Sequence, residues 1–124
     1  MNAASIYSVE GILLVSIRAD IADSDIIDLQ DVLSQRIADT GARGVVIDIA
    51  ELDIVDTFVG RVLAQVTSIS KLLDAETYVV GMRPAVAMTL VELGMYLRGN
   101  RTALTLSHAL ARMREDGLTD DSAG

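Results

Sequence analysis

The fold of this chain is most clearly indicated by eighteen consecutive residues, Gly44-Val-Val-Ile-Asp-Ile-Ala-Glu-Leu-Asp-Ile-Val-Asp56-Thr57-Phe-Val-Gly-Arg61. This stretch opens with a nearly continuous apolar run, Val45 to Ile49, which is typical of a central parallel strand covered on both faces. A short acidic turn follows and ends at the hydroxyl residue Thr57. Apolar residues then recur at helical spacing, which predicts a helix over residues 57 to 73. The stretch therefore predicts a strand, a turn and a helix, as expected for an α/β fold.

Upstream of this stretch, the sequence predicts a hairpin and one helix. Two apolar, β-branched runs, Ile6 to Val9 and Ile12 to Ile17, are separated by a two-residue turn that contains Gly11. Apolar residues then recur every three or four positions behind the capping group Asp23-Ser24-Asp25. This pattern indicates an amphipathic helix that Gly41 ends.

Downstream, the sequence predicts two more strands and two more helices. A strand is predicted over Thr77 to Met82, and a short helix with Pro84 in its first turn follows and runs to about Leu93. The last strand is predicted over Thr102 to Leu106, and Ser107 is predicted to cap a final helix. The predicted order is thus β-β-α-β-α-β-α-β-α, a single α/β domain whose mixed sheet is mostly parallel.

Composition limits the domain count and excludes several classes of function. The 124 residues leave room for one core, and we assign residues 1–115 to the domain and residues 116–124 to an acidic, flexible tail. The net charge of −8 argues against binding to nucleic acid or to an anionic membrane surface. Cysteine is absent, and no signal peptide or membrane-spanning run is recognisable, so we expect a cytoplasmic protein.

Residue types that perform catalysis are scarce in this sequence. The single histidine, His108, has no neighbouring cysteine or paired acids with which to form a metal site or a catalytic triad. A phosphoacceptor aspartate at Asp48, as in receiver domains, would need an early acidic pair and a late lysine. The one lysine, Lys71, lies on a predicted helix, so we interpret Asp48 as a structural acid. We expect no enzymatic activity, no cofactor and no metal.

Thr57 is the strongest candidate for a functional residue, and the local sequence leaves two interpretations open. Together with Asp56 it can cap the helix, since either side chain can accept hydrogen bonds from first-turn N–H groups. It can instead accept a phosphate, because a helix N-terminus stabilises an anion. A phosphate beside Asp53 and Asp56 would add about −1.5 to −2 charges and repel an acidic partner. Arg61, one turn further on, either softens that repulsion or is simply solvated.

Two segments carry the pattern of a known family. The first is the Val46 to Arg61 part of the stretch quoted above, and the second is Val79-Val-Gly-Met-Arg-Pro-Ala-Val-Ala-Met-Thr-Leu-Val-Glu-Leu-Gly94. Together they resemble the STAS domain and, within that superfamily, the RsbS-type anti-sigma-factor antagonists of the stressosome. The resemblance covers nearly the whole chain.

The resemblance implies a non-catalytic scaffold with a STAS fold. Such a protein would co-assemble with RsbR-type paralogues as a homodimer within a large hetero-oligomer and would hold an RsbT-type switch kinase. Phosphorylation would release the kinase, and an RsbX-type phosphatase is a further expected partner. The acceptor maps onto Thr57, where RsbS-type proteins usually have serine, and a second acceptor maps onto Thr89. Asp53, Asp56 and Arg61 would surround the acceptor as a switch surface.

Two alternative functions stay open at this point. The chain could be a stand-alone antagonist that binds an anti-sigma kinase one-to-one, without a large assembly. It could also be a STAS module that binds a small ligand, such as a nucleotide or a lipid. The sequence shows no phosphate-binding loop, and aromatic residues make up only 3%, so little is available to stack a base.

Overall fold

The computed structural model describes residues 4–19, 22–52, 57–92 and 100–119, which form five strands and four helices. The strands are β1 (Ala4–Val9), β2 (Ile12–Ile17), β3 (Gly44–Asp48), β4 (Glu76–Val80) and β5 (Asn100–Ala103). The helices are α1 (Asp23–Thr40), α2 (Thr57–Leu72), α3 (Pro84–Glu92) and α4 (Leu106–Glu115). The predicted fold class and the predicted order of the elements are confirmed.

The strands form one mixed sheet in the order β1-β2-β3-β4-β5. β1 pairs antiparallel with β2 through a tight turn, in which Glu10 and Gly11 both have positive φ, 52° and 80°. The other neighbouring strands pair in parallel. The carboxyl ends of β2 to β5 therefore lie along one edge of the sheet, where open α/β sheets commonly place their functional loops.

The sheet separates two apolar cores. The first core lies between the sheet and the helices α1, α2 and α3, and the second lies between the sheet and α4. Successive residues of β3 alternate between them, since Val45 and Ile47 face the first core and Val46 faces the second. The near-continuous apolar run in β3 follows from this burial on both faces.

Several element boundaries differ from the sequence-based predictions, among them those of β4, β5 and α4. β4 ends at Val80 instead of Met82, because Gly81 adopts a φ of 75° and turns the chain out of the sheet. β5 spans Asn100–Ala103 instead of Thr102 to Leu106. The predicted cap at Ser107 is wrong: the Oγ1 atom of Thr105 accepts a hydrogen bond from the His108 N–H at 3.2 Å, so α4 begins at Leu106.

The first residues of the segment assigned to a tail lie against the domain. Gly117 has a φ of 73°, which turns the chain back, and the Leu118 N–H donates to the carbonyl of Met113 at 2.9 Å. Arg43 donates from Nη1 to the carbonyl of Gly117 at 3.0 Å, and Leu118 packs on the second core. Residues 120–124 lie outside the described part of the chain, and for them the flexible tail stays a prediction.

An ion pair fastens the β1–β2 hairpin to α4. Arg114 donates from Nε to Oε1 of Glu10 at 2.8 Å and from Nη2 to Oε2. The hydrogen bond from Arg114 lowers the pKa of the Glu10 carboxyl, and the same pairing raises the pKa of Arg114. The contact joins residues at the two ends of the domain sequence.

Candidate functional site

The predicted switch surface lies where the loop after β3 leads into α2. The helix begins at Thr57, so the predicted acceptor is the first helical residue, at the positive end of the helix dipole. Asp53 and Asp56 lie outside the described residues, and Thr57 is described by its backbone. The structure therefore locates the start of the helix, while the surroundings of the hydroxyl stay a prediction.

Asp48 closes the turn that leaves the central strand. It is the last residue of β3, and its Oδ1 atom accepts a hydrogen bond from the Ala50 N–H at 2.9 Å. An aspartate that binds the backbone two residues further on forms a turn of its own. The Ile49 N–H donates to the carbonyl of Val80 at 3.1 Å, which ties this turn to the neighbouring strand. These contacts give Asp48 the structural role inferred for it from the sequence.

The loop after β4 supports the same turn from the other side. Arg83 donates from Nε to the carbonyl of Ala50 at 3.0 Å. A Cβ atom on Gly81 would lie 2.8 Å from the Cβ of Ala50, closer than real side chains approach, and the φ of Gly81 is 75°. Glycine thus permits both the backbone conformation and the close approach of the two loops.

Gly81 and Arg83 are positioning residues that the sequence reasoning did not single out. Both belong to the Gly-Met-Arg-Pro part of the second segment that carries the STAS resemblance. The motif is visible in the sequence, but the residue that it contacts is not, because the turn at Ala50 lies some thirty residues away in the chain. In the structure this motif contacts and supports the turn at Ala50, which leads toward Thr57.

Arg61 lies on the exposed surface of α2. It borders a shallow depression of about 310 Å³ together with Ala64, Gln65, Ser68 and Ile69. Gln30 of α1 reaches the same region and donates from Nε2 to Oε1 of Gln65 at 2.6 Å. Within the described ranges, no ion-pair partner of Arg61 is found, while Asp53 and Asp56 lie outside those ranges.

Thr89 lies on α3, on the same side of the sheet as α2. Its side chain is half-buried, and its hydroxyl donates to the carbonyl of Ala85 at 2.9 Å. Met88 and Val91 beside it are large apolar side chains that are 63% and 61% exposed. The second predicted acceptor therefore lies in an apolar patch, with its hydroxyl already engaged.

The described residues contain no constellation suited to metal binding: no three side chains of the ligating types lie together. The helices of the described ranges are all too short or too polar to cross a bilayer.

The sequence pattern of the STAS domain matches residues 3–109. The chain belongs to the STAS domain family. A serine-to-glutamate variant of RsbS from Moorella thermoacetica is 35% identical to it, with a TM-score of 0.83, over 92% of this chain and 97% of that one. A structure described as the molecular architecture of the stressosome, a signal integration and transduction hub, is also 35% identical, with a TM-score of 0.83, over 91% of this chain and 98% of that one.

A further relative of this STAS domain is the RsbT co-antagonist protein RsbRD of Bacillus subtilis (strain 168). It is 40% identical over 65 residues, which make up 52% of this chain and 23% of RsbRD. The chain thus matches less than a quarter of that relative. Together these similarities confirm the family and the RsbS-type resemblance predicted from the sequence. They leave the roles of Thr57, Thr89, Asp53, Asp56 and Arg61 as predictions.

Proposed function

We propose that this STAS domain is a non-catalytic scaffold of the stressosome and that phosphorylation of Thr57 switches it. The observation that supports this most is the likeness to RsbS, at 35% identity and a TM-score of 0.83 over almost the full length of both chains. In this function the unmodified protein holds an RsbT-type switch kinase. Phosphorylation of Thr57 weakens that contact, and the released kinase acts on its downstream target.

The proposed assembly contains more than one kind of STAS protein. The partial match to RsbRD, a co-antagonist by name, supports RsbR-type paralogues as partners of this chain. The protein would form a homodimer that joins a larger hetero-oligomer in the cytoplasm. An RsbX-type phosphatase would remove the phosphate and restore the kinase-binding state.

A phosphate on Thr57 would change the surface more than the fold. At the first residue of α2, free backbone N–H groups and the helix dipole stabilise negative charge. The loop that leads toward this position is held separately, by the hydrogen bonds of Asp48 and Arg83. The added charge, about −1.5 to −2 at neutral pH, would therefore act on the partner. Asp53 and Asp56 would add to the repulsion of an acidic partner, and Arg61 would partly offset it.

Thr89 is the second proposed acceptor. Because its hydroxyl donates to the Ala85 carbonyl and its side chain is half-buried, a kinase would first have to turn that hydroxyl outward. We therefore expect phosphorylation of Thr89 to be slower than that of Thr57. Since it lies among exposed apolar residues, the modification would place charge in a patch suited to protein contact.

Intact mass and peptide mapping after incubation with a cognate RsbT-type kinase and ATP test the assignment of the acceptor. We expect one major phosphate on Thr57, which Thr57→Ala removes, and a minor one on Thr89. Thr40→Ala is a suitable control, since Thr40 is an exposed threonine at the far end of α1. If Thr57→Ala is labelled as fully as the wild type, Thr57 is not the principal acceptor.

A pair of charge variants tests the switch itself. Thr57→Glu should weaken kinase binding by roughly tenfold or more, and it should leave the melting temperature nearly unchanged, since a helix N-terminus tolerates negative charge. Thr57→Gln introduces a side chain of nearly the same shape as glutamate but without its charge, and it should bind the kinase almost as the wild type does. A collapse of the melting temperature in both variants would show that Thr57 is chiefly a helix cap. Unchanged binding by Thr57→Glu would move the switch elsewhere, for instance to Thr89.

The size of the assembly distinguishes the scaffold from a stand-alone antagonist. Multi-angle light scattering of the protein alone and with an RsbR-type partner should show a small oligomer and a much larger complex, respectively. A one-to-one complex with the kinase and no growth with the paralogue would favour the alternative function.

A further inference from the structure

A crevice of about 440 Å³ opens beyond the carboxyl ends of β4 and β5. Its apolar wall is formed by Met82, Ala87, Ala103 and Leu104, and its polar wall by Thr102, His108 and Arg112. The volume falls within the range of about 300–1,000 Å³ that is usual for small-molecule sites. None of these residues belongs to the predicted switch surface.

The topology explains why a crevice forms at this place. After β4 the chain packs α3 against the first core, whereas after β5 it packs α4 against the second. Two neighbouring parallel strands are thus followed by helices on opposite faces of the sheet. A gap then opens outside their carboxyl ends, which is the usual position of ligands in open α/β sheets.

The polar wall carries the positive charge of Arg112 in a strongly acidic protein. His108 and Arg112 are four residues apart on α4 and so lie on one face of the helix. Among the described residues that line the crevice, none is acidic, although the chain carries a net charge of −8. Within the described ranges, neither side chain has a hydrogen-bond or ion-pair partner. Among the described residues, the side chains of His108 and Arg112 therefore face this space without a carboxylate beside them.

The opposite wall is apolar and open to solvent. Leu104 is 78% exposed at the crevice, where its isobutyl group would gain from contact with an apolar ligand. The part of the lining that the structure describes has no aromatic ring on which a nucleotide base could stack. The combination of donors on one side and aliphatic surface on the other fits an amphipathic anion better than a nucleotide.

We infer that this crevice binds a small aliphatic carboxylate, such as a medium-chain fatty acid. The carboxylate accepts a forked pair of hydrogen bonds from the Arg112 guanidinium and a further one from the His108 ring. The hydrocarbon chain lies against Leu104, Met82 and Ala87. This site is independent of the phospho-switch proposed above, so either can fail without the other.

Nuclear magnetic resonance titration of the full chain with octanoate tests this inference. We expect saturable shifts of the backbone amides of Ala103, Leu104 and His108, which surround the crevice. Octan-1-ol has the same chain without the charge, and inorganic phosphate has charge without the chain, so both should bind more weakly. Equal shifts with octan-1-ol, or no saturable shifts at these amides, would overturn the inference.

Three variants test whether octanoate binds through the polar wall of the crevice. Arg112→Gln should raise the dissociation constant for octanoate by roughly tenfold or more, and His108→Gln should raise it by a smaller factor. Arg36→Gln removes an arginine from α1, on the other face of the sheet, and should leave binding unchanged. Thermal melts report whether each variant is folded. If Arg112→Gln does not fold, the affinity of His108→Gln for octanoate provides the test. Wild-type affinity in the folded Arg112→Gln or His108→Gln variants would also overturn the inference.

Discussion

At the scale of single residues, Gly81 shows how an absent side chain positions a loop. Its φ of 75° is strained for any other residue, and its Cα faces Ala50 so closely that a Cβ would lie 2.8 Å from that residue's Cβ. Gly41 has a similar φ of 67°, yet a Cβ there would meet nothing within 4 Å. Substitutions at these two glycines therefore distinguish the cost of backbone strain from the cost of a close contact.

Gly81→Ala should destabilise the protein more than Gly41→Ala does. The strained conformation costs each alanine about 1–2 kcal/mol, and the overlap with Ala50 adds about 1–3 kcal/mol at Gly81 only. Urea unfolding of both variants measures the difference. Equal losses would mean that the two loops move apart freely and that Gly81 does not position the approach to Thr57.

The Glu10–Arg114 pair gives a second prediction at this scale. Because Arg114 lowers the pKa of Glu10 in the folded protein, the pair stabilises the fold above the pKa of the unfolded carboxyl. That contribution is lost as the pH falls through the folded pKa. Glu10→Gln should therefore be slightly less stable than the wild type near neutral pH, and the difference should vanish in acid.

Urea unfolding of wild type and Glu10→Gln across the acid range measures this dependence. The effect should be small, since both side chains are largely exposed, at 51% for Arg114 and 38% for Glu10. Glu115→Gln, an exposed neighbour for which no hydrogen-bond or ion-pair partner is found within the described ranges, is a suitable control. A deficit that grows as the pH falls would contradict the assigned sign.

At the scale of an element, the start of α4 depends on Thr105. Its hydroxyl oxygen accepts the His108 N–H, and the residue is extended, as a helix cap should be. Thr105→Ala should cost about 1 kcal/mol, whereas Ser107→Ala should change the stability by less than about 0.5 kcal/mol. Thermal melts of both variants provide the test. A larger loss of stability in Ser107→Ala than in Thr105→Ala would show that Ser107 is the N-cap, as the sequence predicted.

The boundary of α4 shows why such errors arise. Thr105 and Ser107 are both capping residues by type, and nothing local distinguishes them. The packing of Ala109, Leu110 and Met113 on the sheet sets the rotation of the helix and hence its first turn. Boundaries chosen by tertiary packing are therefore the least predictable part of an element.

At the scale of the whole molecule, the sheet divides two cores that should respond independently. Ile37 of α1 is buried in the first core, and Ile12 of β2 is buried in the second. Ile37→Val and Ile12→Val should each cost about 0.5–1.5 kcal/mol. The double variant should lose the sum to within about 0.5 kcal/mol, since the sites share no core neighbours.

Urea unfolding of the four proteins of this cycle checks additivity. A single transition with additive losses would show two cores that unfold together as one domain. A coupling well above the experimental error would mean that the sheet transmits strain from one face to the other. Either outcome bears on how a modification near α2 affects the α4 side of the molecule.

The order of the elements, the mixed and mostly parallel sheet, and the family could all be predicted from the amino-acid sequence. Each of these rests on local patterns: the apolar run of β3, the glycine at the hairpin turn, and the two segments with the STAS pattern. The placement of Thr57 at the start of a helix also followed from its immediate neighbours. Such features can be predicted because buried side chains recur along the sequence with the period of the helix or strand that they belong to.

The contacts between residues far apart in the chain could not be predicted from the sequence and became visible with the folded structure. The support of the Ala50 turn by Gly81 and Arg83, the Glu10–Arg114 pair and the crevice beside His108 all join segments far apart in the chain. The Gly-Met-Arg-Pro motif marks Gly81 and Arg83 but not the turn that they support, and the other two features have no local signature. Each contact depends on how far one element is rotated and shifted against another. That arrangement is set by the packing of both cores at once, and no single stretch of sequence contains it.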